Sequence, residues 1–102
     1  MIIITGNVQA RDETRTEIIK ICVEHSRHSR DEPGCIEHHV HLDCEDVHRI
    51  VFVEKWADAA AVRMHFSLPR ARDFVRQISQ MAAVPPEIHI YRSDAVPLAA
   101  LA

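Results

Sequence analysis

The fold of this protein is decided by the stretch from Glu32 to Pro69, EPGCIEHHVHLDCEDVHRIVFVEKWADAAAVRMHFSLP. It contains a turn, two runs of strand-forming residues, a tryptophan at the end of the second run and a short helical segment that carries His65. The residues before it predict one strand and one long helix, and the residues after it predict one helix and a last strand. We therefore expect this stretch to lie at the centre of the fold and of any functional site.

The stretch opens with a turn and continues as an antiparallel hairpin. Proline disfavours helical geometry in the residue before it and glycine accepts a positive φ, so Glu32-Pro33-Gly34 is expected to end the preceding helix. A strand is predicted from Cys35 to Asp43, and a second one, apolar on both faces and therefore central, from Val47 to Trp56. The short acidic turn between them is typical of a hairpin.

Strict alternation divides the first hairpin strand into two different faces. The mostly apolar face, expected to pack on helices, contains Ile36, His38, Val40 and Leu42. The polar and titratable face contains Cys35, Glu37, His39, His41 and Asp43. His39 and His41 could together hold a divalent ion with Glu37 or Asp43. A histidine-rich face against a partner subunit explains the same residues, and our prediction is that no metal binds.

The rest of the chain completes a ferredoxin-like pattern. Outside the hairpin we predict a strand over 2–9, a helix over about 12–30 capped by Asp12 or Thr14, a short helix after Asp58, a helix over about 70–83 and a strand over 88–92. This order is β-α-β-β-α-β, an α+β fold with a four-stranded antiparallel sheet and helices on one face. A second copy is expected to cover the bare face, closing a dimeric α+β barrel.

Length and composition restrict the class of protein. The 102 residues predict a single domain with a core over about 2–92 and an apolar tail, 93–102, that docks on its own domain or on a neighbour. The net charge of −3, without a basic block beside aromatic residues, disfavours nucleic acid as a partner. Three cysteines without CxxC spacing favour a reducing compartment, and the short apolar run after Met1 predicts neither a signal peptide nor a membrane span. Our expectation is a cytoplasmic protein.

Several motifs in this order resemble one known family. They are Ser29-Arg30, EPGC from Glu32 to Cys35, FVEKWAD from Phe52 to Asp58, then Ala60, His65 and Pro69. Together they resemble the antibiotic biosynthesis monooxygenase (ABM) domain of the dimeric α+β barrel superfamily, over about 2–91. That family includes quinol and anthrone monooxygenases, haem-degrading enzymes and an isomerase, so the resemblance implies the fold and the homodimer more strongly than the reaction.

The resemblance implies that Asn7, Trp56 and His65 surround a substrate, as the corresponding residues do in anthrone-oxidising members. His65 is the candidate general base because an unperturbed histidine has a pKa near 6.5. Trp56 can offer an N–H donor and a flat wall, and Asn7 an orienting amide. Each also has a purely structural explanation: a packing histidine, a core tryptophan and a strand-end asparagine. Phe66, Leu68, Phe74 and Ile78 are the predicted substrate-binding residues.

The resemblance also bears on cofactors. Haem-degrading members carry a histidine where this chain has Val75, so haem has no evident axial ligand and no cofactor is expected. The implied function is a cofactor-independent monooxygenase that oxidises a small hydroxylated aromatic with O₂, which requires a base, an oxyanion donor and a dry pocket. The alternative is an isomerase or a small-ligand-binding protein on the same scaffold.

Overall fold

The structure, a computed structural model, describes all 102 residues. Its elements are β1 (Ile2–Gln9), α1 (Arg15–Ser29), β2 (Cys35–Leu42), β3 (Arg49–Trp56), α2 (Ala59–Ser67), α3 (Pro69–Met81), β4 (Glu87–Arg92) and a 3₁₀ turn (Leu98–Ala100). The four strands form one antiparallel sheet in the order β2-β3-β1-β4. The predicted ferredoxin-like α+β fold is confirmed. None of the helices is long and apolar enough to span a membrane.

The two central strands bury one face under the helices. Side chains alternate between buried and half-buried along all of β1 and β3, as expected for strands with one face on a core. The larger core cluster joins these strands to α1 and α3, and includes Val8, Ile18, Ile50, Phe52 and Ile78. Apolar burial at this face is the main stabilising contribution in a domain of this size.

A β-bulge near the start of β2 changes which side chains face the helices. Cys35 pairs with Trp56 and Glu37 with Lys55, so Ile36 is an extra residue in the ladder. Cys35 therefore packs on the core side, whereas Ile36 is 55% exposed. The sequence analysis assigned Cys35 to the polar face and Ile36 to the face that packs on helices. Both assignments are wrong, because strict alternation allows no inserted residue. Beyond the bulge the alternation holds, and His38 is fully buried.

Local hydrogen bonds set the ends of the helices and of the hairpin. Asp58 caps α2 by accepting a hydrogen bond from the backbone N–H of Ala61 at 2.9 Å, as predicted. Thr14 occupies the N-cap position of α1 without a side-chain cap, and its hydroxyl donates to the carbonyl of Met81 at 2.9 Å instead. The hairpin turn is longer than predicted because Asp43 accepts a hydrogen bond from the backbone N–H of Glu45 at 2.8 Å.

The turn between α1 and β2 requires a glycine. Gly34 has φ +83°, a conformation that other residues adopt only with strain. A Cβ placed on it would lie 2.5 Å from the Cβ of Ala61 in α2. The carbonyl of Gly34 accepts a hydrogen bond from the backbone N–H of Ala57 at 2.8 Å. The turn therefore joins the end of α1 to the start of α2, and it brings Glu32 to the inner side of that helix.

The sheet face opposite the helices and the C-terminal tail are uncovered in the single chain. All six residues of the edge strand β4 are exposed, and Tyr91, which pairs with Ile3 on the face opposite the helices, is 53% exposed. In the tail, Leu98 is 83% and Leu101 is 75% exposed. Of the two predicted positions for this tail, docking on its own domain is therefore absent.

Candidate active site

A cleft opens between the sheet and helices α2 and α3 and encloses about 170 Å³. Its lining includes three of the four residues predicted to bind substrate, namely Phe66, Phe74 and Ile78. Leu68 lies outside this lining, half-buried at the junction of α2 and α3. Val75 also faces the cleft, and a valine offers no ligand atom. The cleft is suited to a small, flat and largely apolar molecule.

His65, near the end of α2, is oriented by a carboxylate from another element. Its side chain is 2% exposed and contributes to the cleft lining. Its Nδ1 lies 2.7 Å from Oε1 of Glu32, and Nη2 of Arg70 lies 3.7 Å from the other oxygen, Oε2. An ionised carboxylate can only accept, so Nδ1 carries the proton and Nε2 keeps the lone pair. This is the arrangement of an oriented general base.

Trp56 lies behind His65 rather than in the cleft. It is fully buried, and the two ring centroids are 4.7 Å apart. Its indole N–H donates to Oε1 of Glu54 at 2.9 Å and is therefore already occupied. Of the two sequence-based explanations for Trp56, the structure favours the core tryptophan, and Glu54 is the residue of this pair that reaches the cleft.

Asn7 lies at the rim of the cleft, on β1. Its amide Nδ2 donates to Oε2 of Glu87 at 3.2 Å, and both residues belong to the cleft lining. This hydrogen bond, followed by one from His89, lowers the pKa of Glu87. Asn7 pairs with Val51 and alternates with the buried Gly6 and Val8, so its side chain lies on the sheet face opposite the helices, away from the Glu32–His65 pair.

Two further histidines lie beside His65, and sequence analysis did not assign them to the site. The ring centroids of His25 and His38 are 5.3 and 5.9 Å from that of His65, and 5.3 Å from each other. Burial, followed by the neighbouring His38 and His65, lowers the pKa of His25 to about 3. His25 lies within the first predicted helix, and alternation placed His38 on the mostly apolar face of its strand. No sequence signal shows that α1, β2 and α2 converge there.

The histidine pair that suggested a metal site from sequence is elsewhere. His39 and His41 are exposed on the outer face of β2, with ring centroids 6.4 Å apart. His38 points to the opposite side, so the three neighbouring histidines do not form one cluster.

The cysteines near the core remain thiols. Burial raises the pKa of Cys22 to about 12. Burial, followed by the carboxylates of Glu54 and Glu32, raises the pKa of Cys35 to about 11. Neither residue supplies a thiolate at neutral pH, so the chemistry of this region depends on imidazoles and carboxylates.

The fold and the site define a class of protein: a small ferredoxin-like domain in which a carboxylate-oriented histidine lines an apolar cleft. The sequence model of the antibiotic biosynthesis monooxygenase (ABM) family matches residues 1–77, and the chain belongs to this family. The resemblance inferred from its motifs is thereby confirmed.

Individual relatives agree with this assignment. The chain is 32% identical over 91 residues to the protein sll1783 of Synechocystis sp., covering 89% of this chain and 62% of the relative, less than two thirds of its length. It is 24% identical over 88 residues to "Putative monooxygenase YcnE" of Bacillus subtilis, covering 86% of this chain and 93% of the relative. A solved structure from Deinococcus radiodurans, titled a "putative antibiotic biosynthesis monooxygenase", superposes with a TM-score of 0.90 at 21% identity, covering 95% of this chain and 96% of that one. At that identity the likeness shows the fold.

Proposed function

We propose that this protein is an oxidoreductase, a monooxygenase that oxidises a small hydroxylated aromatic of the quinol or anthrone type with O₂, without an organic or haem cofactor. The observation that carries the proposal is the 2.7 Å contact between Nδ1 of His65 and Glu32 beside an apolar cleft. Family membership supports the reaction class. The volume and the apolar lining of the cleft support a small and largely apolar substrate.

His65 begins the reaction as the base. Its Nε2 takes a proton from a phenolic hydroxyl or from an activated C–H group of the bound substrate. Glu32 holds the tautomer that leaves Nε2 free and stabilises the imidazolium that forms. Because this base is nearly excluded from water, the anion produced beside it is poorly solvated and electron-rich.

The substrate itself supplies the electrons. The anion passes one electron to O₂, giving a substrate radical and superoxide, and the two recombine to form a carbon–oxygen bond. Loss of water from the resulting peroxide leaves a quinone, with one atom of O₂ in the product and the other in water. The balance closes without an external reductant. A CH₂ position becomes a carbonyl and both of its hydrogens leave as water, whereas at an aromatic C–H position the water takes that hydrogen and the phenolic one.

The walls of the cleft hold the ring for this step. Phe66 and Phe74 provide aromatic surfaces and Ile78 an aliphatic one, which suits a flat apolar body. The side chain of Asn7 is hydrogen-bonded to Glu87 on the other face of the sheet, and we assign it no contact with the substrate ring. Trp56 acts as a positioning residue, since its ring packs 4.7 Å from the ring of His65.

The test is oxygen uptake with a panel of hydroquinones and anthrones. With an active substrate, His65→Ala should lower kcat by roughly 10²- to 10⁴-fold, the usual contribution of a general base. Glu32→Gln should lower it by at least about tenfold, because the neutral amide no longer fixes the tautomer. His28→Ala is the matched control, since His28 is exposed on α1, and it should retain wild-type activity.

Two outcomes separate the candidate functions. If one of these compounds consumes O₂ and His65→Ala is as active as wild type, the assignment of the base is wrong. If none consumes O₂ while an aromatic ligand still binds in the cleft, the protein is an isomerase or a ligand-binding protein on this scaffold.

A further inference from the structure

The three buried histidines form a convergent set of nitrogen donors. One ring nitrogen each of His25, His38 and His65 lies within 4.8 Å of the others. The residues are only 8%, 0% and 2% exposed, and they come from three different elements, α1, β2 and α2. Buried imidazoles gathered from separate elements are held in place by the fold, unlike histidines that meet on a flexible surface.

Hydrogen bonds fix two of these rings from behind. Nδ1 of His38 lies 2.7 Å from Oγ of Ser26, and Nδ1 of His65 lies 2.7 Å from Oε1 of Glu32. The nitrogen left free is Nε2 in both rings. A metal-binding histidine usually engages its second nitrogen in this way with a carboxylate or another polar group.

One of these free nitrogens has no hydrogen-bond partner in the protein. Nε2 of His38 is buried and makes no hydrogen bond. The nearest acidic atom, Oε1 of Glu54, lies 3.3 Å away and already accepts from Trp56. A buried polar atom without a partner lowers the stability of the fold by about 1–3 kcal/mol, and a bound ligand at this nitrogen would remove that cost.

The third ring is positioned by stacking. The imidazole of His25 lies parallel to the ring of Phe74, with centroids 3.9 Å apart and an interplanar angle of 4°. A face-to-face contact sets the plane of the imidazole and leaves the nitrogens at its edge available to a ligand.

We infer that His25, His38 and His65 bind a divalent transition-metal ion of the Zn²⁺ class. Three imidazoles with a nearby carboxylate form a donor set that Zn²⁺ accepts in tetrahedral geometry, and Glu54 is placed to provide or to hold the fourth ligand. Bonds of about 2.0–2.1 Å place tetrahedral donors about 3.3 Å apart, so nitrogens that now lie within 4.8 Å of one another approach by up to about 1.5 Å on binding.

Metal binding goes beyond the proposed oxygenase and competes with it. The ion occupies Nε2 of His65, which is the atom that the proposed base uses. Added Zn²⁺ should therefore inhibit oxygen uptake, and a chelator should restore it. Binding itself is measured without any substrate, so the absence of oxygenase activity would leave the metal site intact, and the absence of zinc binding would leave the oxygenase intact.

The experiment is a titration of chelator-stripped protein with Zn²⁺ at neutral pH, in competition with a chromophoric chelator. One ion should bind per chain. His25→Ala and His38→Ala should each weaken binding by more than the roughly 100-fold limit typical of changes behind the ligands. Glu32→Gln, which removes only the support of His65, should weaken it by about 10- to 100-fold. The matched control is His39→Ala/His41→Ala, which removes the exposed pair and should bind like wild type.

Imidazole proton resonances of the wild-type protein give a second measurement that needs no variant to fold. Zn²⁺ should shift the signals of His25, His38 and His65 at stoichiometric metal and leave those of His39 and His41 unchanged. Binding below one equivalent, shifts confined to the exposed pair, or loss of tight binding in the double control variant would overturn the inference.

Discussion

His25 is an imidazole whose surroundings favour the uncharged form. Burial acts first, and the charges of His38, His65 and Arg70 act in the same direction, bringing its pKa from 6.5 to about 3. Its ring also stacks on Phe74, with centroids 3.9 Å apart and an interplanar angle of 4°. Protonating this ring in the folded protein would place a charge in a site that water barely reaches, near the guanidinium of Arg70.

Acidification should therefore destabilise the protein through His25. The unfolded chain protonates this residue near pH 6.5 and the folded chain only near pH 3, so stability is complete above about 6.5 and is lost as the pH falls towards 3. A shift of this size corresponds to about 3–5 kcal/mol. Urea unfolding with chelator present, at about pH 7 and about pH 4, should show a smaller acid loss for His25→Phe, which keeps the stacking on Phe74.

The comparison of wild type with His25→Phe also controls for the titration of other groups. Asp43 and Glu87 have lowered pKa values, so each loses stabilisation as the pH falls through its folded pKa, but they do so equally in wild type and variant. Equal acid loss in wild type and His25→Phe would show that the ring is not held neutral.

The sequence predicted one residue of the site but not the side chains that contact it. His65 could be proposed because it lies on a short helix after the tryptophan strand and matches the family motif. Its partner Glu32 is 33 residues away, and the sequence analysis used it as part of a turn and of the EPGC motif without a role beside His65. The contact of His25 with His38 depends on the position of α1 along the sheet, and residue spacing in the sequence does not specify that position.

At the scale of elements, the junction of α1, β2 and α2 is the most constrained part of the domain. Gly34 allows the chain to reverse with positive φ and leaves room for Ala61 at 2.5 Å from where a Cβ would lie. The same turn carries Glu32 to His65. Packing at this junction thus determines the geometry of the base as well as the stability of the fold.

Gly34→Ala should lower the free energy of unfolding by about 2–5 kcal/mol, through backbone strain and through overlap with α2. Adding Ala61→Gly removes the overlap but not the strain, so the double variant should recover part of the loss. Gly6→Ala is the control at the only other glycine, where the nearest atom, the carbonyl oxygen of Glu87, is 3.3 Å away and φ is not positive. It should cost less, and equal losses in urea unfolding would contradict the argument.

The elements themselves were largely predictable. The strands over 2–9 and from Arg49 to Trp56 follow from their β-branched and aromatic residues, and the break between α2 and α3 from Pro69. The helix α1 begins at Arg15, later than expected. Capping candidates were identified from residue type alone, whereas the actual partners of Thr14 are set by tertiary contacts.

At the scale of the whole molecule, the sheet has one face covered by helices and one face bare. The bare face includes the half-buried side chains of Val51 and Val53 in the centre, with exposed His39 and His41 to one side and Tyr91 to the other. An open sheet face with valines at its centre, on a chain of 102 residues, is the kind of surface that a second copy covers. We propose a homodimer formed through this face.

The dimer should weaken as the pH is lowered, because His39 and His41 become charged and repel their counterparts across the interface. Light scattering from about pH 8 to about pH 5 should show dissociation of the wild type. His39→Gln/His41→Gln lacks these charges and should remain dimeric over the same range. A wild-type dimer that does not change with pH would rule out the histidine contribution, and a monomer at every pH would rule out the interface.

The bulge at Ile36 has a consequence for how the chain can evolve. Removing this residue would convert the bulge into a regular ladder in which Cys35 still faces inward, Glu37 outward and His38 inward. The position should therefore tolerate the loss of one codon without exchanging the two faces of the strand. In an alignment of relatives, a gap in this strand belongs at Ile36, where chain length can vary while the same imidazole enters the domain.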